Sequence, residues 1–280
     1  MTVDSAYRDL LTDILDHGSR RNDRTRTGTL AVFGRTLDLD VQRDFPLLGL
    51  RRLSFRIVAL ELQWMLRGIA DPAWLKERNV HLWDPWVAPE GGLGPTVGQQ
   101  WRSWAVPGAT GIDQLQTLLD GLHERPHSRR HLLSAWNVAE LPNETASPQA
   151  NARQGHMALA PCLVTQQFFA DEGRLSLQVY QRSADVYLGL PLDIASSALL
   201  LHLVARFVGL VPHRLRMCLG DTHLYLNHLE QARELLRREP RPSPKLVFTG
   251  PPKRPDAYQD DDMRLHGYKP HGVLKAPISV

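Results

Sequence analysis

The run over residues 194–207 most restricts what this chain can become. Ala195, Ala198, Leu199, Leu201, Val204 and Phe207 leave little of a helix surface polar. A helix of that kind is stable only when the rest of the protein surrounds it, so it is expected at the centre of the core. Its neighbours in sequence suit that role. Leu175, Leu177 and Val179 alternate with Ser176, Gln178 and Tyr180, the pattern of a half-buried strand, and residues 215–219 read as a short second one. A chain of 280 residues can fill one sizeable core. With strands gathered in one core and helices attached to it, the expectation is a single α+β domain over residues 1–280.

Other elements follow from local signals. Leu10, Leu11, Ile14 and Leu15 predict a helix over residues 6–17 with Gly18 as its stop. Residues 29–33 and 36–41 read as two strands joined by a turn at Gly34-Arg35. Ser54 is a candidate cap for a helix reaching Arg67, with Ile57, Leu60, Trp64 and Met65 as apolar positions. Helices are also expected over residues 112–122 and 227–237, and strands over 132–136, 164–169 and 245–248. The glycine-rich stretch 92–98 lacks a preceding strand and has the wrong spacing for a dinucleotide fingerprint. Residues 141–154 are polar and aperiodic, and are expected to form a surface insertion.

Composition excludes some functions. The formal charge of +3 is too small to argue for a nucleic-acid partner. Two cysteines, Cys162 and Cys218, do not make a disulfide scaffold, which favours a reducing cytoplasm. The N-terminus lacks the plan of a signal peptide, and no apolar run is expected to span a membrane. Scattered histidines and the absence of paired-cysteine spacing give no metal site.

The chemistry gathers at Ala160-Pro161-Cys162-Leu163, ahead of a strand-like run. A cysteine at a strand edge is either a small buried hydrophobe or a nucleophile whose pKa is set by its neighbours. The surrounding motifs decide between them. Asn22-Asp23-Arg24-Thr25, Trp83-Asp84, Gly98-Gln99-Gln100-Trp101-Arg102, Ser128-Arg129-Arg130, the run from Gln181 to Ser196, Gly220-Asp221-Thr222-His223-Leu224-Tyr225 and Lys275-Ala276-Pro277 occur in one order. Together they resemble thymidylate synthase, the family that transfers a one-carbon unit from 5,10-methylenetetrahydrofolate to C5 of a pyrimidine nucleotide. The resemblance runs over nearly the whole chain. It implies a mixed sheet with flanking helices and a homodimer packed sheet to sheet.

The resemblance also implies roles. Cys162 would add to C6 of the ring, because only then does C5 become nucleophilic. Glu61, if buried, would shuttle protons. Arg24, Arg182 and Ser183 would hold the phosphate, with Arg129 and Arg130 reaching over from the partner subunit. His223 and Tyr225 would hold the sugar, and Gln167 and Ala184 fall in the same substrate set. Trp83, Asp185, Leu188, Gly189, Leu192 and Ala276 would face the folate. The tail ending at Val280 would close over both ligands, and Arg24 would help hold it.

Departures from the family pattern sharpen the substrate. Asp193 stands where members acting on uracil carry Asn. A carboxylate accepts from the cytosine amino group, and one proton shared with N3 completes the pair. Asp193 is also a candidate cap for the helix that follows it. The replacement resembles the cytidylate hydroxymethylase branch of the family. Leu163 stands for His, Val97 for Tyr, Ala184 for Cys, Leu192 for Phe, Ser54 for His and Arg51 for a Lys at the folate tail. The expected activity is 5-hydroxymethylation of CMP, or of dCMP, leaving tetrahydrofolate. The alternatives are methylation of dUMP with formation of dihydrofolate, and a non-catalytic folate- or RNA-binding relative.

Overall fold

The computed structural model describes residues 2–106 and 108–279. In chain order the elements are α1 (Val3–His17), β1 (Ser19–Arg21), β2 (Thr29–Asp40), α2 (Phe55–Leu66), α3 (Ala73–Lys76), α4 (Val97–Arg102), α5 (Gln114–Glu124) and β3 (Leu132–Ser134). There follow α6 (Pro148–Arg153), β4 (Leu163–Asp171), β5 (Arg174–Asp185), α7 (Leu190–Val208), β6 (Val211–Tyr225), α8 (Leu229–Arg237), β7 (Lys245–Phe248) and β8 (Met263–His266). One mixed sheet runs β1-β2-β6-β5-β4-β3, and β7 and β8 form a separate antiparallel pair. Within the large sheet only β5 and β6 are parallel. A parallel pair needs a crossover connection, and α7 is that crossover.

α7 is the expected central helix. Ile194, Ala195, Ala198, Leu199, Leu201, Leu203, Val204 and Ala205 are all fully buried. It packs on the inner face of β5 and β6, while α2 and α5 pack against it from the other side. Each fully buried Leu or Ile here contributes roughly 1.5–3 kcal/mol relative to exposure, so this helix anchors the core. It is also, among the described residues, the helix long and apolar enough to cross a membrane, contrary to the expectation that no run reaches that length. With 67% of that stretch buried inside the protein, its apolarity is accounted for by the core.

Several local signals are obeyed. Ser54 caps α2, its side chain accepting from the Ile57 N–H, and Gly18 ends α1 by donating to the Ile14 carbonyl. Others are overridden. The expected turn at Gly34 is absent: β2 runs in unbroken register against β6 from Thr29 opposite Tyr225 to Asp40 opposite Arg214. Gly34 takes φ 70° inside the strand, which costs glycine little. Likewise β6 extends well beyond residues 215–219, because it is paired on both sides and its length is set by its neighbours. The segment 141–154, expected as a surface insertion, carries a short capped helix, α6, whose Asn151 is buried, and is not plain surface loop.

Candidate active site

The site forms where β5, β6 and the start of α7 meet the segment before β4. Ser183 pairs with Asp221 and Asp185 with His223, so the β5–β6 register brings two of the expected motifs side by side. Gly220 allows this approach. A Cβ there would lie 2.7 Å from the Arg182 carbonyl oxygen and 3.2 Å from its Cα.

Arg182 fastens the nucleophile's segment to the sheet. Its side chain donates to the carbonyls of Pro161 and Ala160, each at 2.9 Å, and its backbone N–H donates to the Cys162 carbonyl at 2.9 Å. The guanidinium also lies 5.2 Å from the centre of the Trp136 ring. Cys162 is open to solvent in the single chain but densely surrounded by protein. That burial pushes its thiol up to about 11, the Asp193 and Asp185 charges adding and Arg182 opposing. The ligand-free protein therefore holds a thiol, and positive charge brought in around the phosphate site is what would favour the thiolate.

Two carboxyls stand ready to hold protons at neutral pH. Burial pushes Glu61 up to about 7, opposed by a hydrogen bond from Trp83 Nε1 to its Oε1 at 2.8 Å. Asp193 is pushed up to about 7 by burial first and by the Glu61 charge second, against a hydrogen bond from Gln181. That bond runs from Gln181 Nε2 to Asp193 Oδ2 at 2.8 Å. Asp193 lies within the first turn of α7, whose N-cap is Gly189, so it does not cap the helix as an isolated Asp would. Its side chain accepts from Gln181 instead.

On the sugar side, His223 Nδ1 lies 3.1 Å from Asp221 Oδ1, and Asp221 accepts from Arg21 at 2.8 Å. With Nδ1–H bound to a carboxylate, Nε2 is the nitrogen left for a ligand. Tyr225 meets the His223 ring edge to face at 5.3 Å. On the folate side, Asp185 Oδ1 accepts from the N–H groups of Tyr187 and Leu188, which shapes the Leu188–Gly189 turn. Trp83 and Trp86 meet edge to face, 6.0 Å between centres, as an aromatic wall. Leu188 and Leu192 pack partly buried at the edge of the main core.

The tail lies over this region. Tyr187 Oη donates to the Leu274 carbonyl at 2.9 Å, and His228 Nε2 meets the Pro277 carbonyl at 2.7 Å. Ala276 is partly buried against the core. Arg24 is exposed, and the contact between its loop and the tail is made by Thr27, whose Oγ1 donates to Ser279 Oγ at 3.1 Å. Val280 lies outside the described residues. Arg129 and Arg130 are exposed in the turn before β3.

Three expected residues are not brought to the site. Gln167 pairs with Gln178 on the outer face of the sheet, because strand alternation turns its neighbour Gln166 inward. Ala184 is wholly enclosed in the core opposite Thr222, so it acts on the sugar pocket only through its neighbours. Arg51 is 93% out of contact with solvent, its exposure being 7%. It donates to the Tyr187 carbonyl and stacks over that ring, bracing the turn from beneath rather than waiting for a ligand. Sequence reasoning missed Gln181, although it heads the motif Gln181-Arg182-Ser183. It also missed the insertion's part in the site wall. Gln149 in α6 donates to the Pro85 carbonyl at 2.8 Å, and Ala152 packs in the cluster that holds Trp83 and Trp86. Among the described residues no group of three or more potential metal ligands converges.

A cysteine segment held by an arginine, with two carboxyls near neutrality close by on a mixed sheet, is an arrangement able to activate a flat ring by covalent addition. The sequence profile of thymidylate synthase matches residues 5–280, and the chain belongs to that family. Its members are one-carbon transferases acting on pyrimidine nucleotides, with methylenetetrahydrofolate as cosubstrate. Two of the expected folate residues are chemically suited to that cosubstrate: the Trp83–Trp86 pair offers flat rings, and Asp185 is a carboxylate able to accept from ring N–H groups.

Proposed function

We propose that this protein is a hydroxymethyltransferase acting on a cytidine monophosphate, with methylenetetrahydrofolate as one-carbon donor. The observation that carries the reading is Asp193, a carboxyl held near pKa 7 with a hydrogen-bond donor already placed on one oxygen. A neutral acid with a fixed orientation matches the cytosine edge, which offers an amino donor beside an acceptor nitrogen. It mismatches uracil, whose N3–H would face the acid proton. A mismatch of this kind leaves buried polar groups unpaired at a cost of roughly 1–3 kcal/mol each.

The steps balance as follows. The Cys162 thiolate adds to C6, forming the S–C6 bond. The C5=C6 pair moves to C4–C5, and the C4=N3 pair moves to N3, which takes the Asp193 proton. C5, now an enamine carbon, would bond to the one-carbon unit as the bond from that carbon to folate N10 breaks, leaving it tied to N5. Loss of the C5 proton and of the folate leaves an exocyclic methylene on the ring. Water adds to it as Cys162 departs, giving 5-hydroxymethylcytidylate and tetrahydrofolate. Glu61, poised near neutrality, serves the proton transfers at C5 and at the incoming water. Val97 and Leu163, partly buried against the core, leave that flank without the Tyr and His that the family pattern carries there.

The ribonucleotide CMP is proposed as the preferred substrate because the small Ala184 reduces bulk beneath the strand segment that presents His223. A homodimer is proposed on the exposed outer face of the sheet, where Phe169 and Tyr180 stand 64% and 45% exposed. There Arg129 and Arg130 would complete the partner's phosphate site. A cytoplasmic setting is proposed on the strength of the two free thiols. The deciding experiment incubates the protein with methylenetetrahydrofolate and CMP, dCMP or dUMP separately, weighs the nucleotide product and follows dihydrofolate absorbance. A cytidylate heavier by one hydroxymethyl group, with no dihydrofolate, is expected. Methylated uridylate with matching dihydrofolate would sink the reading.

A further inference from the structure

Gln181 sits opposite Leu163 where β5 passes β4, and it is fully buried. Its Nε2 lies 2.8 Å from Asp193 Oδ2 and 3.1 Å from the Ser183 carbonyl oxygen, while its Oε1 meets no polar partner among the described residues. The two ends of a glutamine amide are told apart by their neighbours. Here the neighbour decides, because a backbone carbonyl only accepts. A flipped amide would set oxygen against oxygen at Ser183. The amide therefore presents an N–H to Asp193 whether or not that carboxyl is protonated.

In a neutral carboxyl the carbonyl oxygen is the better acceptor and the hydroxyl oxygen the donor. A donor held against Oδ2 makes Oδ2 the carbonyl oxygen and leaves the proton to Oδ1. We infer that Gln181 is the positioning residue that fixes the acid proton of Asp193 on Oδ1, so that Oδ1 faces cytosine N3 and Oδ2 accepts from the amino group. This deepens the cytidylate reading and rests on it. Gln181 also acts after the proton has moved. When Oδ1 has given its proton to N3, the Gln181 N–H remains on the resulting carboxylate and stabilises it. The proton returns by the same path when Cys162 leaves C6.

Gln181 is not the only group that bears on Asp193. Glu61 on α2, Asp185 at the end of β5, and Cys162 with Arg182 at the nucleophile's segment all bear on the same cluster. A change confined to residue 181 leaves those charges in place. Gln181→Leu keeps the bulk and removes the donor. Its expected result is a loss of roughly 10- to 100-fold in the kcat/KM ratio of CMP over UMP, the size set by one unpaired buried group. The limb of the pH profile that reports Asp193 should move to higher pH, since the lost bond favoured the charged form. Gln181→Glu supplies a donor only while it is protonated, so discrimination should persist at low pH and fail as pH rises. Wild-type discrimination and an unmoved limb in both variants, with unchanged melting temperatures, would mean that Gln181 only fills space, and would overturn the inference. If neither variant folds, a neutron structure of the wild-type protein with CMP decides, a proton on Oδ1 supporting and a proton on Oδ2 overturning it. A wild-type protein that shows no preference for CMP over UMP marks a different failure, that of the cytidylate reading itself.

Discussion

The two halves of the site that the proposed function assigns to nucleotide and to folate are built differently. Gln181, Arg182, Ser183 and Asp185 lie on β5, His223 and Tyr225 at the end of β6, and Asp193 in the first turn of α7. These are the elements that enclose the core. On the other half, Trp83 lies in a loop, Leu188 and Gly189 in a turn, and residues 274–279 in a tail without regular structure. Apart from packing at the edges of the two cores, that half is tied by isolated hydrogen bonds: Trp83 to Glu61, Gln149 to Pro85, Tyr187 to Leu274, His228 to Pro277 and Thr27 to Ser279. Groups that must meet a ring atom within tenths of an ångström sit on the rigid half. The wall that must admit and release a large cosubstrate is drawn from segments that open at low cost.

The largest test of this division is Cys162→Ala. Turnover should fall by at least about 10³-fold, while nucleotide affinity measured by calorimetry changes little, because Arg182 and His223 stay on the sheet. Next in size, Asp193→Asn should swing the kcat/KM preference from cytidylate toward uridylate by roughly 10²- to 10⁴-fold. An unchanged preference would show that base reading is not located on the rigid half.

Stability against pH gives the third test. Burial raises the folded pKa of Glu61 from the ordinary 4.5 to about 7, so its contribution is greatest below pH 4.5 and is lost as pH rises through 7. Glu61→Gln should therefore stabilise the ligand-free protein at pH 8 by about 1–3 kcal/mol in urea unfolding, while abolishing turnover. His202, half-buried in α7 beside Phe45, has the opposite sign. Burial lowers it from 6.5 to about 4, so the stability it contributes is complete above pH 6.5 and is lost as pH falls toward 4. His202→Gln should flatten the acid limb of the unfolding curve. The smallest effects belong to the loop half. Gln149→Ala and Ser279→Ala should each raise the folate KM about 3- to 10-fold, one hydrogen bond apiece, with the nucleotide KM unmoved. If the nucleotide KM rises in step, the two halves are one body and the comparison fails.

Legibility in the sequence followed the same division. The capped helix α2, the apolar α7 and the alternation of β5 were readable because one element carries each signal. The readings that failed depended on a partner. Gly34 looks like a turn until β6 lies along both sides of it, and Gln167 looks like a ligand until pairing with Gln178 fixes its face. Arg51 looks like an outward cation until Tyr187 closes over it. The insertion looks like a loop because its one buried polar anchor, Asn151, is satisfied by the chain of its own neighbourhood: its Oδ1 accepts from the Asn143 N–H and its Nδ2 donates to the Asn143 carbonyl.

By itself, the order of residues led to one α+β core around an apolar helix, to motifs that resemble one family, and to an acid at the position that the resemblance assigns to base reading. Those are properties of composition and spacing, and they survive any arrangement in space. Only the tertiary structure decided that Asp193 and Glu61 are pushed toward neutrality, that Gln181 faces Asp193, and that the Trp83–Trp86 segment leans on residues 149 and 152. Protonation and hydrogen-bond direction depend on what excludes water around a group, and that is settled by residues far away in the chain.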